Sequence, residues 1–180
     1  QLKTGKKIII YGDEKAGKTT LIFWYFRELI AHGFVPVYLS ASDLNIKSEN
    51  DSKRRIDKAI SAQYSSPDKI MSFAREKLVL LVDDVDRLKS GLHTLPSLFS
   101  YAERHFSSIC LTAASGFEVT NLVSSDAANA LLFFKNFDLM RFGLKLRHKL
   151  IKKWCTLSAV PTKSELDKRI DEVETIVNSV

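Results

Sequence analysis

Cysteine is nearly absent from this sequence. Cys110 and Cys155 are the only two, and neither sits in a CxxC pair. That argues against a disulfide framework or a thiolate metal knot; buried, reduced thiols in a cytoplasmic setting are the expectation. Proline and glycine are also sparse, with four and seven in 180 residues, which excludes fibrous and low-complexity material. No apolar run reaches the roughly 18 residues that a membrane span needs, so no membrane partner is expected. His32, His93, His105 and His148 lie scattered without ligand spacing, against a histidine metal or catalytic centre. The opening "QLKTGKK" has neither an initiator Met nor a signal-peptide core, and the expectation is a piece of a longer protein.

What is present is an ordinary globular composition, 45% hydrophobic and 27% charged. Basic residues outnumber acidic ones by 27 to 21, giving a net charge of +6. This permits a nucleic-acid partner without demanding one. The basic clusters at 52–55 and 141–153 read most simply as solvated helix faces.

Apolar runs alternate with helical patterns along the chain. "KIIIY" (7–11), "VPVYLS" (35–40), "LVLLV" (78–82) and "SSICLTAAS" (107–115) read as strands, and "FDLMRF" (137–142) as an edge strand. Between them, 18–32 predicts a helix apolar nearly all round, with Phe23, Trp24, Tyr25 and Phe26 in the core and Gly33 as its stop. Further helices are expected over 51–64, 68–76, 92–106 and 144–157, while 117–136 reads as mixed helix and loop. After a break at Pro161, Thr162 and Glu165 form a capping box. The last helix aligns Leu166, Ile170, Val173 and Val177 on one seam. The order predicts an α/β fold, a doubly wound, mostly parallel five-stranded sheet with helices on both faces. Its core is expected over residues 1–158, with a helical tail over 159–180.

The chemistry concentrates first at Gly12-Asp13-Glu14-Lys15-Ala16-Gly17-Lys18-Thr19, which matches G-x-x-x-x-G-K-[ST] between a strand and a helix. Glycines let backbone approach a phosphate, and successive N–H groups from about Glu14 to Thr20 converge on the anion at a helix N-terminus. Lys18 is expected to neutralise β- and γ-phosphate oxygens, and Thr19 to put its hydroxyl on Mg²⁺.

The second concentration is Asp83-Asp84-Val85-Asp86, directly after a buried strand. Carboxylates there lie beside the ligand crevice of a doubly wound sheet. Asp83 is the expected partner of Mg²⁺, and Asp84 or Asp86 the acid that orients and deprotonates water. Three carboxylates in four residues repel one another, and a cation would relieve this. Thr112 or Ser115, at the end of the next strand, could sense the γ-phosphate. No arginine lies between Arg104 and Arg141, so that strand offers no arginine finger, and slow hydrolysis is expected. The arginines between loop and acid (Arg27, Arg54, Arg55, Arg75) form no clamp, which disfavours a small-molecule kinase. No guanine-reading N/TKxD motif occurs, so ATP/ADP is favoured over GTP.

Together, "KKIIIYGDEKAGKTTL", "LVLLVDDVDRL" and "FDLMRFGLKLRHKLIKKW" resemble the nucleotide-binding core of a STAND-class P-loop NTPase, NACHT-like and AAA+-related; the acidic segment also resembles the KAP group. The resemblance covers residues 5–157. It implies an ATP/ADP-driven switch with slow Mg²⁺-dependent hydrolysis in a defence or signalling protein. Its implied partners are other domains of the same protein and further copies of itself on activation. An AAA+-type ATPase acting on nucleic acid, such as a helicase loader or transposition regulator, is the alternative.

Overall fold

The computed structural model describes residues 5–89, 91–117, 129–141, 143–157 and 162–178. It divides into two compact units, Gln1–Leu139 and Met140–Val180. The helix that begins at Leu144 falls in the second of these.

In the first unit, β1 (Lys7–Gly12), β2 (Val35–Ser40), β3 (Leu78–Asp83), β4 (Ser108–Ala114) and β5 (Lys135–Asp138) form one sheet in the order β2-β3-β4-β1-β5. Every pairing is parallel. β3 explains its own position, because all six residues of LVLLVD are buried. Only a strand covered on both faces tolerates such a continuous run. Each fully buried Leu or Val there contributes about 1.5–3 kcal/mol. β4, which is nearly as buried, lies between β1 and β3.

Helices α1 (Lys18–Ala31), α2 (Glu49–Gln63), α3 (Pro67–Ile70) and α4 (Leu95–His105) connect the strands. α2 starts where the Ser48 hydroxyl accepts from the Asp51 N–H at 3.2 Å and donates to the Asp51 carboxylate at 3.1 Å. α1 buries Ile22 and Leu29 but exposes one flank: Phe23 is 49% and Trp24 56% accessible. The expectation of a helix packed all round, with its aromatics in the core, is corrected accordingly. Tyr25 and Phe26 are half-buried against the sheet, and Phe23 rests on the Tyr38 ring at 4.9 Å.

Two other expectations shift. The helix predicted over 68–76 is one short turn at Pro67–Ile70 and a 3-10 turn at Arg75–Lys77. The edge strand lies two residues earlier than predicted, at Lys135–Asp138, and pairs with β1. The reading of 117–136 and the break at Pro161 fall largely outside the described residues.

In the second unit, α5 (Leu144–Thr156) and α6 (Lys163–Asn178) form a hairpin around Ile151, Cys155 and Ile170. Thr162 caps α6: its Oγ1 accepts from the Glu165 N–H at 3.4 Å and donates to Glu165 Oε2 at 2.6 Å, so the carboxylate meets the hydroxyl rather than the Thr162 N–H of a full capping box.

Candidate functional site

The loop between β1 and α1 is built as its residue types require. Gly17 adopts φ 97° and Lys15 φ 60°, both left-handed, so the chain reverses tightly before entering α1. At Gly12 a Cβ would lie 3.2 Å from the Leu139 Cβ and 3.3 Å from the Lys18 Cγ, so only glycine fits comfortably. The turn closes with the Ala16 N–H donating to the Asp13 carbonyl at 3.1 Å. Lys18, although charged, is buried. Its Nζ donates to the Gly12 carbonyl at 3.0 Å and the Asp13 carbonyl at 3.2 Å.

Across β4, the acidic segment is organised by Thr112. Its hydroxyl donates to Asp83 Oδ1 and accepts from the Asp84 N–H, the latter at 2.9 Å. Asp83 is buried at the end of β3, and Tyr38 Oη approaches its other oxygen at 3.5 Å. Burial and the Asp83 charge push the Tyr38 phenol up to about 12, so it stays a donor. Asp84 sits at φ 53°, a left-handed conformation that turns its side chain back over the P-loop. Asp84 Oδ1 lies 3.9 Å from Lys18 Nζ. Burial, followed by the charge of Asp83, raises its pKa above the usual carboxylate range, while Lys18 opposes the shift. Asp86 faces elsewhere: its Oδ1 accepts from the Ala114 N–H at 2.9 Å.

The three carboxylates therefore have different partners: Asp83 the Thr112 hydroxyl, Asp84 the Lys18 ammonium and Asp86 the Ala114 N–H. Among the described residues no cluster of three metal-ligating acidic, His or Cys side chains occurs. Asp86 is engaged in tying β4 to the acidic segment, so of the two expected water-orienting acids only Asp84 lines the cleft. Thr112 serves the acids directly, and Ser115 is exposed with its N–H donating to the Gly12 carbonyl at 3.2 Å.

A cleft of about 260 Å³ gathers Glu14, Lys15, Gly17, Lys18, Thr19, Thr20, Asp84 and Arg87. Sequence reasoning missed Arg87, having looked for a clamp only before the acid and after β4. Its spacing, three residues after Asp84, is visible in the sequence, but the 3-10 turn Val85–Arg87 that brings it to the cleft is not. A larger groove, about 700 Å³, lies along the apolar face of β1 and β4 beside α1. It lacks a carboxylate and does not include the P-loop.

The donor set fits Mg²⁺ held mainly by phosphates and water, with Thr19 and Asp84 on the cleft and Asp83 directly behind. Such an ion would neutralise phosphate charge there.

The parallel sheet order, with β4 inserted between the P-loop strand and the acid-bearing strand, is the fold of AAA+ P-loop NTPases. Solved structures carry the same fold. A DNA replication initiation factor superposes with a TM-score of 0.62 at 19% identity, covering 96% of this chain and 54% of its own. The replication initiator DnaA, solved with AMPPCP and single-stranded DNA, gives 0.59 at 19%, covering 98% and 55%. RuvB from Thermotoga maritima gives 0.53 at 18%, covering 84% and 44%. This chain thus spans about half the length of those proteins. No family model and no curated protein matches it.

Proposed function

We propose that this chain is the ATP-binding, Mg²⁺-dependent ATPase core of an AAA+-type protein that acts on nucleic acid. The observation that carries the ATPase reading is Lys18 facing Asp84 at 3.9 Å on one phosphate-sized cleft, with Asp83 fixed behind by Thr112. Lys18 and the loop N–H groups bind phosphate. Thr19 and Asp83 supply the Mg²⁺ side, and Asp84 orients water.

Action on nucleic acid is supported by the relatives solved with DNA and by a second cleft. That cleft, about 380 Å³, is lined by Asn45, Ile46, Lys47, Lys89, His93, Thr94 and Ser97. The side-chain ammonium groups of Lys47, from the segment after β2, and Lys89, after β3, form no ion pair with a carboxylate among the described residues, although the Lys47 N–H donates to Asp51. Lys7, Lys53, Arg54 and Arg104 each form one. Unpaired cations around a cleft suit a phosphodiester backbone.

A second reading, a STAND-type switch with slow turnover, is favoured by the two oxygens of Asp84 each facing a cation, Lys18 and Arg87. Such an acid is flanked by cations on both oxygens, which fits a domain that dwells in one nucleotide state.

Turnover of ATP by the purified chain, with and without single-stranded DNA, separates the readings. DNA-stimulated hydrolysis that disappears in Lys18→Ala supports the first. Slow hydrolysis indifferent to DNA supports the switch. Unchanged ATP affinity in Lys18→Ala sinks the site itself.

A further inference from the structure

We propose that Arg87 reads the γ-phosphate from within this chain and, in doing so, releases Asp84. The inference rests on the ATP reading of the cleft. It assigns a role to a residue that neither the loop motif nor the acidic motif contains.

The geometry starts at Asp84. Its left-handed backbone is held by the hydrogen bond from its N–H to Thr112, and the Arg87 N–H closes the following turn onto the Asp84 carbonyl at 2.9 Å. Val85, fully buried, pins the middle of that turn. Arg87 is thus projected from a fixed root into the wall of the cleft that Lys18, Thr19 and Thr20 also line.

Its guanidinium hovers between two carboxylates. Nη2 is 3.9 Å from Glu14 Oε1 on the P-loop, and Nε is 3.9 Å from Asp84 Oδ2. Both separations exceed hydrogen-bonding distance, and Arg87 and Glu14 are largely exposed, so these are loose, screened pairs. A phosphate offers the same guanidinium a bidentate, charge-assisted partner, which is the stronger contact. The two oxygens of Asp84 divide between cations, Oδ1 toward Lys18 and Oδ2 toward Arg87. A γ-phosphate in the cleft draws on both cations at once. A diphosphate lacks the group that would recruit Arg87, and leaves it beside Asp84.

Arg87 therefore discriminates triphosphate from diphosphate, and couples that choice to the freedom of the water-orienting acid. The test is equilibrium binding of AMPPCP and of ADP, each with Mg²⁺, to the full 180-residue chain and to Arg87→Ala and Arg87→Lys. Arg87 is exposed, so matching thermal unfolding of the variants is expected and is measured alongside. The expected result is an AMPPCP affinity about tenfold weaker in Arg87→Ala, ADP affinity unchanged, and partial recovery in Arg87→Lys. Equal loss for both nucleotides, or no loss for either, overturns the inference and leaves the ATP site standing. Wild-type protein that binds neither nucleotide overturns both.

Discussion

Thr112 donates its hydroxyl hydrogen to the buried carboxylate of Asp83 and takes the Asp84 N–H on the same oxygen. One neutral side chain on β4 thereby fixes the last residue of β3 and the acid that follows it, orienting the first and holding the strained backbone of the second.

Replacing that hydroxyl by a methyl tests its weight. Thr112→Val keeps the volume and strands a buried carboxylate and a backbone N–H, a loss of about 3 kcal/mol by the usual cost of unpaired buried groups. Urea unfolding should register it, and ATP turnover should fall as well. A variant as stable as wild type would mean that water replaces the hydroxyl.

Asp84 predicts a pH dependence. Its pKa is raised by folding, so the folded chain holds the proton more tightly than the unfolded chain. The associated stability is complete below the ordinary carboxylate pKa, about 4, and is lost as pH rises through the folded value. Asp84→Asn removes this titration. Its urea midpoint should gain on wild type from about pH 4 upward and then level off. A difference that stays flat across that range contradicts the assigned environment.

The second cleft predicts a salt effect. If Lys47 and Lys89 contact phosphates, Lys47→Ala/Lys89→Ala should bind single-stranded DNA more weakly at every sequence. The slope of log affinity against log salt should shrink by about 1.4. Fluorescence anisotropy across a salt series measures both, and an unaltered slope removes this cleft from the binding surface.

The cysteines predict an order of reactivity. Cys110 lies in β4, its thiol pushed up to about 12 by burial and by Asp83. Cys155 is buried as well, but in a two-helix hairpin with only a small apolar cluster, which opens locally more readily. Iodoacetamide labelling followed by mass spectrometry should find Cys155 modified first. Cys110 should be modified only on global unfolding, and the reverse order would displace Cys110 from its assigned place.

The sheet was legible because its signals are local. "LVLLVD" reads as a strand covered on both faces, and the spacing of Gly12, Gly17 and Lys18 marked the tight turn between β1 and α1. α1 misled because a run such as "LIFWYF" fills a helical wheel whatever lies opposite, so exposure of Phe23 and Trp24 is a tertiary fact. The three acids were placed by their position after a buried strand, but which partner each takes is set by strand register and the following turn, which no spacing records. Arg87 escaped for the same reason: a left-handed residue at Asp84 redirects the turn, and sequence does not announce that an aspartate adopts φ 53°.

The position of β4 has a further consequence. The loop lysine and the acid rise from strands that are not neighbours, with one strand between them. Their separation is therefore gauged by two successive interstrand steps of about 4.8 Å, a spacing fixed by peptide hydrogen bonds rather than by side chains. Insertions in the connecting segments can change what the protein engages while this ruler stays the same. Wear at the periphery does not alter the calibration at the centre.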